Sequence, residues 1–276
     1  MTATDPDLTL ALESRLVNAW PAFEVELAEG WLMRFAEGYS KRANAATAFL
    51  PVARLDPPLV GAMLASFAAR GIAPCFRLTG LEHRSADAML AEHGLVPYDP
   101  SVAMVAPLGD GLVLDPSIRL DPAAKPAWIA AAADANGGAK SNRDILGRIV
   151  RRIRQPVAFA TLDLDGHDVA WGFAVAERGF VGLYDIVVAP DLRGLGLGRR
   201  LVLGLLAWGR EAGADRAYLQ VRQANTLADA LYRSLGFTVA YRYTHRVLRD
   251  HGSEVATSAP DAMSAQASAS DTDASA

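Results

Sequence analysis

Residues 183–202 read LYDIVVAPDLRGLGLGRRLV. Leu183 to Val188 is a short run of β-branched, aromatic and apolar residues, which predicts a strand. Ala189-Pro190-Asp191 turns the chain. Arg193-Gly194-Leu195-Gly196-Leu197-Gly198 then leads into a helix with Leu201, Leu205 and Trp208 on one face and Val202 and Leu206 beside them. Strand, glycine turn and helix in this order make an α/β unit, and the rest of the chain is organised around it.

Glycines at alternate positions 194, 196 and 198 remove the Cβ atoms that would keep a phosphate off the backbone. They also permit the φ angles that aim successive N–H groups into one concavity. The following helix points its positive dipole end at the same spot, so a polyphosphate is the ligand the turn suits. Spacing narrows the choice. A phosphate-loop NTPase needs Gly-Lys-Ser/Thr at the end of the turn, and here Gly198 is followed by Arg199-Arg200. A dinucleotide-binding turn needs G-x-G-x-x-G and an acid after the next strand. Arg199 stands where the last glycine should be, and the strand Ala217 to Val221 is followed by Arg222. A glycine turn serving only chain reversal stays open as the plain alternative.

Two further stretches complete a pattern. Val221-Arg222-Gln223-Ala224-Asn225 is followed by Leu231-Tyr232-Arg233-Ser234-Leu235-Gly236-Phe237. Together with Val188-Ala189-Pro190-Asp191-Leu192-Arg193-Gly194-Leu195-Gly196-Leu197-Gly198, these motifs resemble the GCN5-related N-acetyltransferases. In that family the turn reads Gln/Arg-x-x-Gly-x-Gly/Ala, matched by Arg193, Gly196 and Gly198. The likeness covers about Ile118 to Leu248.

The resemblance implies a mixed, mostly antiparallel sheet flanked by helices, with a splayed parallel strand pair. It also implies acetyl-CoA as acyl donor and a primary amine, of a small molecule or a protein, as acceptor. The main-chain N–H groups of Arg193, Gly194, Leu195, Gly196, Leu197, Gly198 and Arg199 would hold the pyrophosphate. The main chain of Ile186, Val187 and Val188 would bind the pantetheine arm. Asn225 would contact the donor near that arm, and Tyr232 would stand beside the thioester sulfur and give the departing thiolate its proton. Asp185, a carboxylate in an apolar strand, is a candidate base or amine ligand, with a salt bridge as the plain alternative. Glu177, Tyr184, Tyr241, Tyr243 and His245 are weaker candidates; the last three share a face by strand alternation. The rival reading from another class is a non-catalytic acyl-CoA-binding or regulatory module.

The chain of 276 residues is 51% hydrophobic, enough for two buried cores, and its net charge of −4 gives no broad cationic field for nucleic acid or an anionic membrane. No apolar run nears the roughly 20 residues a membrane span needs. These features predict a soluble cytoplasmic protein, with a homodimer as an open option. Arg148, Arg151, Arg152 and Arg154 make one helix basic, which reads as a solvated face around an Ile145, Ile149, Ile153 stripe, or as a contact for an acidic substrate group. The lone Cys75, in an apolar run, reads as a buried hydrophobe. The histidines at 83, 93, 167, 245 and 251 lack ligand spacing, so no metal is expected.

In chain order the patterns predict a helix over 8–18, a hairpin of 23–27 with 31–35, a helix over 57–70, a strand at 75–78, a helix over 85–93 and a strand at 102–107. After the segment 108–116 come a strand at 117–120 and helices at 123–134 and from 141 to 154. A hairpin of 157–164 with 169–176, the strand 180–188, the glycine turn and helix, a strand, a helix and a last strand to Leu248 follow. Ala86 to Leu95 (ADAMLAEHGL) aligns without gaps on Ala228 to Phe237 (ADALYRSLGF), the mark of an eroded internal duplication, or of a common helix end. The first copy has no glycine run, and Leu90 stands where the second has Tyr232. The reading is therefore a smaller, degenerate N-terminal α/β domain of the same type (1–108), a linker (109–116), a catalytic domain (117–248) and a disordered tail (249–276).

Overall fold

A computed structural model describes residues 5–135 and 140–248. The expected tail, and the helix stop at Asn136-Gly137-Gly138, lie outside them.

The first half opens with α1 (Pro6–Ala19), begun by Pro6 and by Asp5, whose carboxylate accepts from the N–H groups of Asp7 and Leu8. The hairpin β1 (Glu24–Ala28) and β2 (Trp31–Phe35), strand β3 (Ala46–Ala48), helix α2 (Pro57–Ala69), strand β4 (Cys75–Leu78), helix α3 (Ala86–Glu92) and strand β5 (Leu95–Pro107) follow. The second half runs β6 (Ile118–Asp121), α4 (Pro126–Ala135), α5 (Lys140–Val150), β7 (Val157–Leu164), β8 (His167–Glu177), β9 (Phe180–Val188), α6 (Leu197–Glu211), β10 (Arg216–Arg222), α7 (Thr226–Ser234) and β11 (Thr238–Leu248).

Most expected elements are present. Three differ. β3 was not foreseen, because Ala-Thr-Ala carries almost no strand signal and forms only between β2 and β4. β5 starts at Leu95, seven residues before the expected Val102, since Pro97 and Pro100 interrupt the pattern without ending the pairing to β11. α5 stops at Val150, short of Arg154, and buries Leu146 and Val150 with Ile149.

Among the described residues all strands form one mixed sheet of 11, in the order β1-β2-β3-β4-β11-β5-β10-β9-β8-β7-β6. In each half a parallel pair is joined through a helix, β3 to β4 by α2 and β9 to β10 by α6. The last strand of each half does not stay with its own half. β11 lies antiparallel to β4, and β5 lies antiparallel to β10, so the two final strands are exchanged and pair with each other in the middle. The aligned decapeptides have matching structure: Ala86 and Ala228, Leu90 and Tyr232, and Leu95 and Phe237 are all buried, and Gly94 and Gly236 both have positive φ. Residues 108–116 are fixed onto α6, by Asp110 to Arg210 and Asp115 to Arg200, each 2.8 Å.

One face of the sheet carries α1, α4 and α5 over a core that includes Trp20, Trp128, Phe159, Phe173, Tyr184 and Tyr218. The other carries α6 and α7, over Leu183, Val188, Leu201, Leu205, Tyr232 and Phe237, and α2 and α3 in the first half.

Candidate active site

β9 and β10 are paired only from Phe180–Gly182 to Arg216–Tyr218. Beyond Gly182 they part, and a fork opens along Ile186, Val187 and Val188 on one side and Leu219 to Arg222 on the other. The hydroxyls of Tyr184 and Tyr218 meet in the crotch of the fork, and Gly182 makes room for them: a Cβ there would lie 2.6 Å from Tyr218 Cζ and 2.7 Å from the Tyr184 hydroxyl. Burial raises the proton affinity of both hydroxyls, so both stay protonated. On its far side β9 remains paired to β8, with one irregularity: Trp171 faces Val187 and Phe173 faces Tyr184, so Asp185 and Ile186 together stand opposite Gly172. This is a β-bulge.

The fork leads to the glycine turn. A 3-10 segment, Pro190–Leu192, ends at Arg193, whose guanidinium donates to the carbonyls of Val188 and Ala135, 3.3 Å each. Gly194 and Gly196 have φ of +81° and +78°, and a Cβ at either would meet nothing within 4 Å. Left-handed backbone beside open space is what a ligand-facing turn needs. Gly198 differs, for its Cβ would make ordinary contact with Val188 and Leu231. Gly196 is the N-cap of α6, and Arg200 N–H makes the first helical bond, to Gly196 O at 3.1 Å. The N–H groups of Leu197, Gly198 and Arg199 precede that bond and point out of the helix end. The Arg199 side chain donates to Ser234 Oγ at 2.8 Å, tying the start of α6 to the end of α7. Leu195 is exposed at the tip. Open glycines, unpaired helix-end donors and the flanking Arg193 and Arg199 fit a diphosphate.

α7 closes the same side. Asn225 is buried and caps the helix, its Oδ1 accepting from Ala228 N at 3.1 Å, so the oxygen expected near the donor is engaged within the fold. Tyr232 is buried against Phe237, with ring centroids 5.9 Å apart, in the cluster that includes Val188, Leu197 and Leu201.

Asp185 sits on the bulge with φ of +47°, a strained value for a non-glycine residue. Its carboxylate pairs with Arg42 at 3.1 Å, the two side chains being 12% and 27% exposed. The salt bridge weighed against a chemical role is thus present, and it comes from the first half. Arg42 also lies over the Trp20 ring, 5.3 Å from its centroid, and Trp20 stacks on Tyr39 and Tyr184. Burial, then Asp185, raises the proton affinity of the Tyr39 hydroxyl.

The remaining candidates divide. Glu177 ends β8 and accepts from Asn18 at 2.9 Å. Tyr241, Tyr243 and His245 share a face in ring contact. Tyr241 donates to Glu13 of α1, which also takes Arg77 and Gln220. The basic face of α5 is not merely solvated: Arg148 pairs with Glu37 and, with Arg152, covers the Phe23 ring. Trp20, Tyr39, Arg42 and Glu13 were not foreseen. Glu13 and Arg77 had a signal, charges set in the apolar stripes Leu12–Leu16 and Cys75–Leu78. Arg42 had none, since only the fold brings it to Asp185.

Cys75 is buried and its thiol is pushed up to about 12, chiefly by burial. Among the described residues no group of three or more His, Cys, Asp or Glu side chains could hold a metal ion, and no helix is long and apolar enough to cross a membrane.

A forked parallel pair opening on a glycine turn at a helix N-terminus defines the acetyltransferase class of the GCN5-related superfamily. Within it, a family model described as "Probable histone acetyltransferase Rv0428c C-terminal" matches residues 10–246, and the chain belongs to that family. It is 24% identical over 245 residues to the "Uncharacterized N-acetyltransferase YobR" of Bacillus subtilis, covering 86% of this chain and 98% of that one. A shorter match, 43% over 58 residues, joins 21% of this chain to 39% of the "[Ribosomal protein bS18]-alanine N-acetyltransferase" of Escherichia coli. Among solved structures, a GCN5-related N-acetyltransferase from Kribbella flavida has the same fold, with a TM-score of 0.65 at 19% identity, over 92% of this chain and 99% of that one. Family and relatives support acetyltransferase activity.

Proposed function

We propose that the protein moves an acetyl group from acetyl-CoA to a primary amine by direct attack within a ternary complex. The observation that carries this reading is the continuity of the β9–β10 fork with the open glycine turn at the N-terminus of α6. The donor's diphosphate would rest on the N–H groups of residues 193–199, and its pantetheine arm would run along Ile186 to Val188. The amine gives up a proton, its nitrogen bonds to the acyl carbon, and the carbon–sulfur bond breaks. Tyr232 would then protonate the leaving sulfur, and Asp185 would take the amine's proton or hold the amine. Residues 1–108 are read as a catalytically silent half that shapes the acceptor side, a role supported by Trp20, Tyr39 and Arg42 beside Asp185.

The acceptor is a small-molecule amine or a protein amine. The relative named for a ribosomal-protein alanine makes a protein α-amine one class to try. The test is thiol release from acetyl-CoA with a panel of amines and amine-terminated peptides, in wild type and Tyr232→Phe. Turnover with some acceptor, slowed at least tenfold in kcat by the variant, supports the reading. A second reading, a non-catalytic acyl-CoA-binding module, is favoured by the engagement of Asp185 with Arg42 and of Asn225 in the α7 cap. Acetyl-CoA binding without turnover on the whole panel would select it.

A further inference from the structure

Asp185 is a carboxylate with little access to water, on a strained bulge one residue before the Ile186–Val188 run. Such a group must be neutralised by a cation. Arg42 supplies one now, reaching from the 3-10 turn Lys41–Ala43 of the other half. That turn has an anchor besides the guanidinium, since the Arg42 carbonyl accepts from Arg34 Nη1 at 2.6 Å. The other walls of the corner are aromatic, the Trp20 ring under Arg42 and Tyr39 stacked beside it. A carboxylate flanked by aromatic rings is the chemistry that takes an ammonium ion.

We propose that Arg42 occupies the acceptor amine's own subsite: the acceptor's ammonium binds between Asp185 and Trp20 after the Arg42 side chain swings out. This rests on the acyl-transfer reading for its purpose but not for its measurement. Two cations repel each other at one carboxylate, so acceptor and Arg42 compete. The competition gives the site a direction. The acceptor arrives charged and displaces Arg42; one proton leaves to solvent before attack, a second replaces the one Tyr232 gives to the departing sulfur, and the product amide carries no charge, so Arg42 returns to the ionised Asp185 and expels it. The acceptor class that follows is a primary ammonium on an apolar stem.

The experiment titrates n-butylammonium chloride into the full chain at pH 7 by calorimetry, without acyl donor, in wild type, Arg42→Gln, Arg42→Ala and the double variant Arg42→Gln/Asp185→Asn. Binding should tighten about five- to tenfold in both single Arg42 variants and be lost in the double one. With acetyl-CoA present, KM for n-butylamine should fall in the Arg42 variants, as removal of a competitor requires. Unchanged or weaker binding in variants that still melt cooperatively overturns the proposal. So does a rise in KM with a fall in kcat, which would make Arg42 a positioning partner of Asp185. Should both variants fail to fold, the wild-type titration still decides: the Arg42 Nε–H resonance should move while that of Arg77 stays, and a stationary Arg42 signal refutes the displacement. Tightened binding with no thiol release from any amine would sink the acyl-transfer reading and leave the cation site standing.

Discussion

Glu13 of α1 and Arg77 of β4 form a two-pronged ion pair, at 2.7 and 3.0 Å, with both side chains almost wholly out of water. Tyr241 of β11 and Gln220 of β10 donate to the same carboxylate. Ala103 of β5 lies in register between those two donors, and its small side chain leaves the room into which Glu13 descends. The N-terminal helix thus bonds to both halves where their last strands cross. Burial alone would lower the proton affinity of Arg77, but Glu13 raises it well above the ordinary value, so the guanidinium stays charged.

Removing one partner leaves the other charge buried and uncompensated. Glu13→Ala should therefore cost about 3–5 kcal/mol in urea unfolding. A loss under 1 kcal/mol would mean that water reaches Arg77.

At the glycine turn, Gly196→Val puts a branched side chain into the open space facing the helix end, at a φ of +78°. The left-handed backbone should cost about 1–2 kcal/mol of stability. Acetyl-CoA affinity should fall at least tenfold by calorimetry; undiminished affinity in a folded variant would move the diphosphate elsewhere.

Gly182→Ala tests the fork itself. The new methyl would collide with the Tyr218 ring and the Tyr184 hydroxyl, both enclosed in the core. Overpacking of this kind costs about 1–3 kcal/mol. The clash falls at the last paired step before the fork, Gly182 with Tyr218, so KM for acetyl-CoA should rise more than stability falls. An unaltered KM would mean the fork does not carry the donor's arm.

His245 gives the pH prediction. Burial, then Arg77, Lys41 and Arg42, lowers its proton affinity well below the ordinary value, and both ring nitrogens are buried without a hydrogen-bond partner among the described residues. The unfolded chain takes up a proton near pH 6.5 and the folded one does not. The stabilisation is therefore complete above that pH and declines as pH falls below it, by at most about 1.4 kcal/mol per unit. His245→Leu should melt no lower than wild type at pH 7.5 and lose less between pH 7.5 and 5.5. Parallel melting curves for the two proteins would refute this.

The sequence carried the local units well and their partnership poorly. Alternation in 157–188 and the Asp165-Gly166 turn located the hairpin, because those signals reside within a few residues of one another. The glycine turn was read from a contiguous motif, and the splayed pair was implied by the family resemblance that such motifs carry. The exchange of β5 and β11 left no local trace, since nothing within either strand's sequence specifies which neighbour it takes. The Arg42–Asp185 pairing was illegible for the same reason: the two are 143 positions apart, and Arg42 stands in no recognisable pattern. Asp185 itself was picked out by its cost in an apolar strand, and the bulge that aims it could be seen only in the paired sheet.

The exchanged strands set a schedule for biosynthesis. β5 leaves the ribosome with both of its future neighbours, β10 and β11, still to be translated, so its two edges stay bare until residues 216–248 emerge. At ordinary elongation rates that interval is on the order of ten seconds. During it a 13-residue strand has to be sheltered by a chaperone or borrow a temporary mate in β4, from which β11 must later displace it. Synonymous codon changes that slow translation beyond residue 107 should lower the soluble yield of this protein more than equal delays placed before residue 95.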